Sequence, residues 1–260
     1  MGAVSGRLGC HGSQRRSVWS QPVAARNVIL IPPSEGKVEG GSGVPYQPGS
    51  LAVDDLDEAR SQVLRALGPD HPVHAAPTTA AIERYRGVLY RELDAPSLRG
   101  TPRRRLRRDV LIASGLWGLV APADPIPDYR LKMGARLDPL GKLSTWWRPQ
   151  LTAALEERIR GAIVWDLLPN EHAAAIEWSH LAPRRRITIR FLDDSGRTVS
   201  HWNKLLKGSI VRWLVETGER EPRALADFEH PQGYRLDPDR SDLDPTSVGR
   251  DIALVLSQMP

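Results

Sequence analysis

The sequence predicts a mixed α/β fold of the α+β kind: one compact domain with a partly parallel sheet and flanking helices. Three observations lead there. Short apolar runs alternate with stretches of helical period. Residues 184–194 alternate residue by residue into an Asp-Ser-Gly turn, as in a hairpin. No internal repeat or heptad pattern competes. The 260 residues are 40% apolar, enough for a sizeable core, and their mixed charges argue against wholesale disorder.

Residues 1–26 are rich in Gly, Ser and Arg and lack an apolar core segment, so they read as a disordered leader, not a secretory signal. Residues 27–31, "NVILI", read as a buried strand that empties into "PPSEGKVEGGSGVPYQPGS", a long Gly/Pro/Ser loop of the functional or mobile kind. Residues 54–67 form a helix capped by Asp54 or Asp55, with Leu56, Val63, Leu64 and Leu67 as its apolar stripe. "APTTAAIERYRGVLYRELD" is helical to Arg86, breaks at Gly87 and resumes. It is either a kink or a helix–hairpin–helix-like element, whose usual second glycine is missing. "TPRRRLRR" opens a helix leading into one buried strand over 109–120. "APADPI" is a turn and "DYRLKMGARL" a strand and bend. Residues 143–159 form an amphipathic helix and 161–168 a further buried strand. The run 184–194 pairs with a return strand over 197–202, and 203–216 form the last helix. The domain thus spans 27–237, and 238–260 read as a loose acidic, Pro-rich tail.

Several apolar strands end in polar clusters: Ser34-Glu35-Gly36-Lys37, Ser114-Gly115 and Asn170-Glu171-His172. Ligands of open α/β sheets bind at such strand ends, so the repetition points to one shared cleft. Around Gly36, backbone amides and the Lys37 amine suit a phosphate or carboxylate; a solvated turn explains the same residues. The spacing is not that of a P-loop. His172 is a base or an ordinary packing residue. One cysteine, Cys10, excludes a disulfide within the chain and fits a reducing cytoplasm. No paired Cys/His spacing points to a metal, and no cofactor motif is present. No apolar run reaches membrane-spanning length. The formal net charge of +5 permits a nucleic-acid partner without requiring one. Lys204, Lys207 and Arg212, with Arg103, Arg104, Arg105, Arg107 and Arg108, form either a phosphate-binding surface or ordinary solvated charge. Eight Trp against two Phe serve core packing or stacking on a flat ligand.

The blocks "LIPPSEGK", "APTTAAIERYRGVLY", "LIASGLWGLVAPADPIPDYRLKMGARL", "WWRP", "VSHWNKLLKG" and "GYRL" resemble the YaaA family of peroxide-stress-associated proteins, in family order over 27–237. The resemblance implies a single α/β domain of YaaA type. It also implies a positively charged cleft, cytoplasmic binding of duplex or distorted DNA, and a role in the oxidative stress response. It brings no established reaction. Its pattern maps onto Ser34, Glu35, Gly36, Lys37, Ser114, Gly115, Gly118, Tyr129, Arg130, Gly134, Asn203, Lys204, Lys207 and Gly208. This chain departs from it at Pro169, His172, Trp117 and Trp202, where the family commonly has Ser, Tyr, Phe and Phe.

Two readings follow. In the first, Lys37, Arg130, Lys204, Lys207 and Arg212 neutralise DNA phosphates, with Gly36, Ser114, Tyr129 and Asn203 lining the cleft. In the second, the cleft is the active site of a specialised-metabolism enzyme for a small anionic or aromatic, nucleotide-like or amino-acid-like molecule. Lys204 or Lys37 then holds the anion, Glu35 or His172 titrates near neutral pH as acid or base, and Ser34 is either the nucleophile or a hydrogen-bond donor.

Overall fold

A computed structural model describes residues 25–193, 195–197, 203–243 and 251–258. A seven-stranded mixed sheet is built from β1 (Asn27–Ile31), β2 (Val110–Ser114), β3 (Gly118–Val120), β4 (Ile163–Asp166), β5 (Arg185–Leu192), β6 (Tyr234–Leu236) and β7 (Asp251–Gln258). Their spatial order is β6-β7-β5-β4-β1-β2-β3. Strands β2, β1, β4, β5 and β7 run parallel, and only the edges β3 and β6 are antiparallel. The helices are α1 (Asp57–Leu67), α2 (Ala81–Arg84), α3 (Val88–Leu93), α4 (Gly100–Asp109), α5 (Leu143–Ile159), α6 (Asn170–Ala173) and α7 (Asn203–Thr217).

The apolar strand runs are apolar because both faces of the sheet are covered. All five residues of β1 are buried, as are all four of β4. Trp117, Trp147 and Trp165 are fully buried, so core packing accounts for these three. Arg60, also fully buried, donates to the carbonyls of Trp117 and Leu119 and to the Asp57 carboxylate, which satisfies its charge.

From β1 the chain moves to β2 on one side, then returns past β1 to lay β4, β5 and β7 on the other. The connections leaving β1 and β4 therefore diverge at the carboxyl ends of these strands. In open α/β sheets this reversal is where ligands bind.

Several elements differ from the sequence expectations. The first helix of the 76–94 stretch ends at Arg84, because Tyr85 and Arg86 pair antiparallel with Lys37 and Gly36. The break before α3 is at Gly87, as expected, with φ 149°. The run 109–120 is a hairpin: the Ser114 hydroxyl accepts from the Leu116 and Trp117 amides and turns the chain. Neither Asp54 nor Asp55 caps α1; both lie in a preceding 3-10 turn. The Asp193–Arg197 turn forms, while most of its expected return strand lies outside the described residues. Residues 251–258 are not a loose tail. Their "IALVL" run inserts between β5 and β6, burying Ile252 and Leu254 to Leu256.

Candidate functional site at the sheet crossover

The loop after β1 is fixed from several sides. The Tyr90 hydroxyl donates to the Pro32 carbonyl at 2.9 Å. Gly36 and Lys37 form their small ribbon with Arg86 and Tyr85. A Cβ at Gly87 would meet the Ser34 hydroxyl oxygen at 2.6 Å, so glycine is required both by that approach and by the positive φ. The Lys37 ammonium donates to the Ser34 carbonyl at 3.0 Å and lies 4.2 Å from the centre of the Tyr129 ring. This cation–π seat is mostly buried, and burial pushes the amine down to about 8. Beneath it the Tyr129 hydroxyl meets those of Tyr85 and Ser114, each at 2.7 Å. Burial raises both phenols above their ordinary range, so this chain stays protonated.

Glu35 is exposed and pairs with Lys132 at 3.0 Å. Lys132, then Lys204 and Lys37, hold its carboxyl below the usual range. Lys132 was missed from sequence, although it sits inside the "YRLKMGARL" block. Arg130 is exposed, and its charge helps lower Lys37, while Asp128 opposes.

The second wall follows β4. Asp166 is buried and accepts from the Arg186 guanidinium at 2.7 and 3.0 Å and from the Leu168 amide at 3.1 Å. That guanidinium also stacks on Trp178, 4.0 Å from the ring centre. In α6, Glu171 accepts from the Gly134 amide, tying the β4 loop to the loop that carries Lys132. His172 is largely buried, and neither ring nitrogen has a hydrogen-bond partner among the described residues. Burial, then the nearby Lys207 charge, lowers its pKa to about 4 against the pull of Glu171. The expectation of a histidine titrating near neutrality is thus corrected: burial keeps the imidazole neutral at pH 7. The Glu35 carboxyl is likewise lowered and stays ionised, so neither group is tuned to neutral pH.

Helix α7 brings two further lysines to this end of the sheet. Lys204 and Lys207 lie one turn apart: the first is exposed and acts on Glu35, the second is buried and acts on His172. Burial lowers Lys207 to about 8, with Asp166 opposing. Gly208 lets α7 approach α3 closely. Asn203 opens the helix.

Two expected members lie elsewhere. Arg212 donates to the Leu93 carbonyl at 3.1 Å and the Ser97 hydroxyl at 2.9 Å, and pairs with Glu216 at 2.9 Å, which commits it to closing α3. Arg105 donates to the Val215 and Glu216 carbonyls at the far end of α7. Lys204 and Glu216 are twelve residues apart, about 18 Å along a helix. Arg105 is therefore committed to the end of α7 opposite Lys204. Trp117, expected beside the cleft, is a core residue against Tyr46 and Tyr129. Among the described residues, no group of three or more His, Cys, Asp or Glu is placed to hold a metal ion.

A sequence profile of the family described as peroxide stress protein YaaA matches residues 50–240. The chain belongs to this family. A UPF0246 protein of Streptomyces coelicolor is 36% identical over 238 positions, covering 81% of this chain and 92% of that protein. One from Corynebacterium glutamicum strain R is 33% identical, covering 77% and 89%. One from Methylibium petroleiphilum is 35% identical, covering 65% and 69%. The YaaA match is linked to peroxide stress through the family's name, and it contains α7, the Tyr129–Gly134 loop and His172. No helix among the described residues is long and apolar enough to cross a membrane.

Proposed function

We propose that this YaaA-family protein binds the phosphate backbone of duplex or distorted DNA along the exposed lysines at the carboxyl ends of β1 and β4, and that this binding serves the response to peroxide. The observation that supports it most is the exposed Glu35–Lys132 pair, with Lys37 and Lys204 acting on the same carboxylate. An exposed ion pair is worth little in water. Lys132 can therefore exchange Glu35 for a phosphate at small cost. Arg130 adds a further exposed cation, while Asp128 and Glu171 limit the excess. The lysines of this set are point charges without the planar, paired donors that read base edges, so recognition rests mainly on backbone and shape.

Titrating the protein with duplex and kinked DNA at several salt concentrations tests this. Affinity should fall steeply with salt, and replacing Lys132 and Lys204 by Gln should each reduce the log–log slope by about 0.9. Arg212→Gln should leave the slope unchanged. Salt-insensitive binding, or a slope unmoved by both lysine variants, refutes the proposal.

A further inference from the structure

Four of the chain's five tyrosines lie in one unbroken aromatic series with Trp117. The rings of Tyr46 and Trp117 are centred 4.6 Å apart, those of Trp117 and Tyr129 6.3 Å, and those of Tyr85 and Tyr90 5.3 Å. The Tyr129 and Tyr85 hydroxyls meet at 2.7 Å and join the two halves. Tyr90, Tyr85, Tyr129 and Trp117 are buried, and Tyr46 is partly exposed. Phenol and indole rings give up a single electron readily, and rings this close pass it on. Where the electron vacancy comes to rest is set by protons, because an oxidised phenol is a strong acid and persists only where a base takes its proton. The inner tyrosines lack one. The Ser114 hydroxyl accepts from the Leu116 and Trp117 amides with both lone pairs, so it donates to Tyr129, and Tyr129 donates to Tyr85. No carboxylate hydrogen-bonds to these hydroxyls among the described residues, and the Lys37 ammonium over the Tyr129 ring opposes loss of an electron there. Trp117 Nε1 is buried without a partner among the described residues, so an oxidised Trp117 keeps its proton and draws an electron from a neighbour. Tyr46 differs. Its hydroxyl donates to Asp57 Oδ1 at 3.5 Å, and the Gly49 amide and Arg60 hold that carboxylate in place.

We propose that this series is a one-electron relay, which carries oxidising equivalents from the buried tyrosines through Trp117 to Tyr46, where a soluble thiol discharges them. The oxidant is of the hydroxyl-radical class, which peroxide yields on one-electron reduction. It takes one electron from the Tyr85–Tyr129 pair and leaves as hydroxide. Trp117 returns an electron to that pair and receives one from Tyr46, whose proton moves to Asp57. A thiolate then gives one electron to the Tyr46 phenoxyl, becoming a thiyl radical, as Asp57 hands the proton back. No other bond is made or broken. The relay keeps strong oxidants from attacking the core at random, and it needs no DNA, so it stands apart from the binding proposed above.

The test attaches a ruthenium photo-oxidant to the full chain through Arg86→Cys, beside Tyr85, with Cys10→Ser so that one site is labelled. Radicals are followed by transient absorption and by freeze-quench electron paramagnetic resonance, without DNA. After the flash, a Trp radical cation should rise and decay into a neutral tyrosyl radical, more slowly in heavy water. A spin-trap adduct should map to Tyr46 by mass spectrometry, and added thiol should erase it. Tyr46→Phe should abolish the adduct and prolong the Trp radical, Asp57→Asn should slow tyrosyl formation, and Trp117→Phe should suppress it. The adduct and the isotope effect involve no core substitution, so they decide the matter even where Trp117→Phe folds poorly. Adducts at the partly exposed Trp146 or Trp213 in place of Tyr46 overturn the proposal. So does Tyr46 oxidation at an equal rate in heavy water, or in a folded Trp117→Phe chain.

Discussion

Replacing Gly208 by alanine sets two effects of opposite sign against each other. Gly208 lies inside α7, where glycine costs about 1 kcal/mol relative to alanine. On propensity alone the variant would be more stable. The added methyl, however, would sit 2.3 Å from the Leu89 carbonyl oxygen and 2.7 Å from the Glu92 Cβ. An ordinary contact begins near 3.4 Å, so α7 must move outward by about 1 Å. The obstacle is backbone of α3, which cannot rotate aside like a side chain. Overpacking of this kind costs about 1–3 kcal/mol, and a backbone clash belongs at the upper end. Net destabilisation should be about 2 kcal/mol, which lowers Tm by about 4–8 °C in a chain of this size. The shift also carries Lys204 and Lys207 away from the carboxyl ends of β1 and β4, so DNA affinity should fall in folded protein. Thermal unfolding followed by circular dichroism is the assay. A Tm raised by 2 °C or more would refute the close approach of α7 to α3.

The remaining predictions concern charge. Lys207 titrates near 8 in the folded chain and near 10.5 unfolded. Below pH 8 both states hold the proton and the burial cost is complete; between 8 and 10.5 the unfolded state holds more protons, so stability rises with pH. Lys207→Met should therefore be more stable at pH 7, by on the order of 1–3 kcal/mol, and should lose its share of that rise in denaturant titrations across the range. His172 titrates near 4 folded against 6.5 unfolded, so its contribution is complete above pH 6.5 and lost as pH falls toward 4. His172→Tyr should make acid unfolding less steep between those values, measured by Trp fluorescence. Arg105→Ala removes the donors at the end of α7 and should cost about 1 kcal/mol, with DNA affinity unchanged in the titration described above.

The parts legible in the sequence were those written locally. The apolar runs of β1 and β4 are visible because burial on both faces demands a continuous apolar string, and α5 because its apolar residues recur at helical spacing. The polar residues just past the strand ends were legible, and Ser34 to Lys37 and Glu171-His172 follow the two strands on either side of the strand-order reversal. Long-range commitments were not legible. Arg212 looks like a free cation until Leu93 and Ser97 are placed beside it. His172 looks titratable until burial next to Lys207 is known. Lys132 lies in a loop without period, and only the chain path brings it to Glu35. The strand β7 was obscured by the acidic, proline-bearing stretch before it, which hides a short apolar run.

The position of β7 bears on the order in which the sheet can be completed. Among the described residues, strand β6 pairs with β7 alone, and β5 exposes the edge from Arg186 to Leu192 until β7 occupies it. Of the seven strands, β7 leaves the ribosome last. The nascent chain therefore carries an open, partly apolar parallel edge, with β6 unanchored beside it, until β7 emerges. Open edges of this kind recruit other chains. Truncation before Asp251 should consequently appear first as aggregation during synthesis, ahead of any loss of binding, and solubility on expression would be its most sensitive measure.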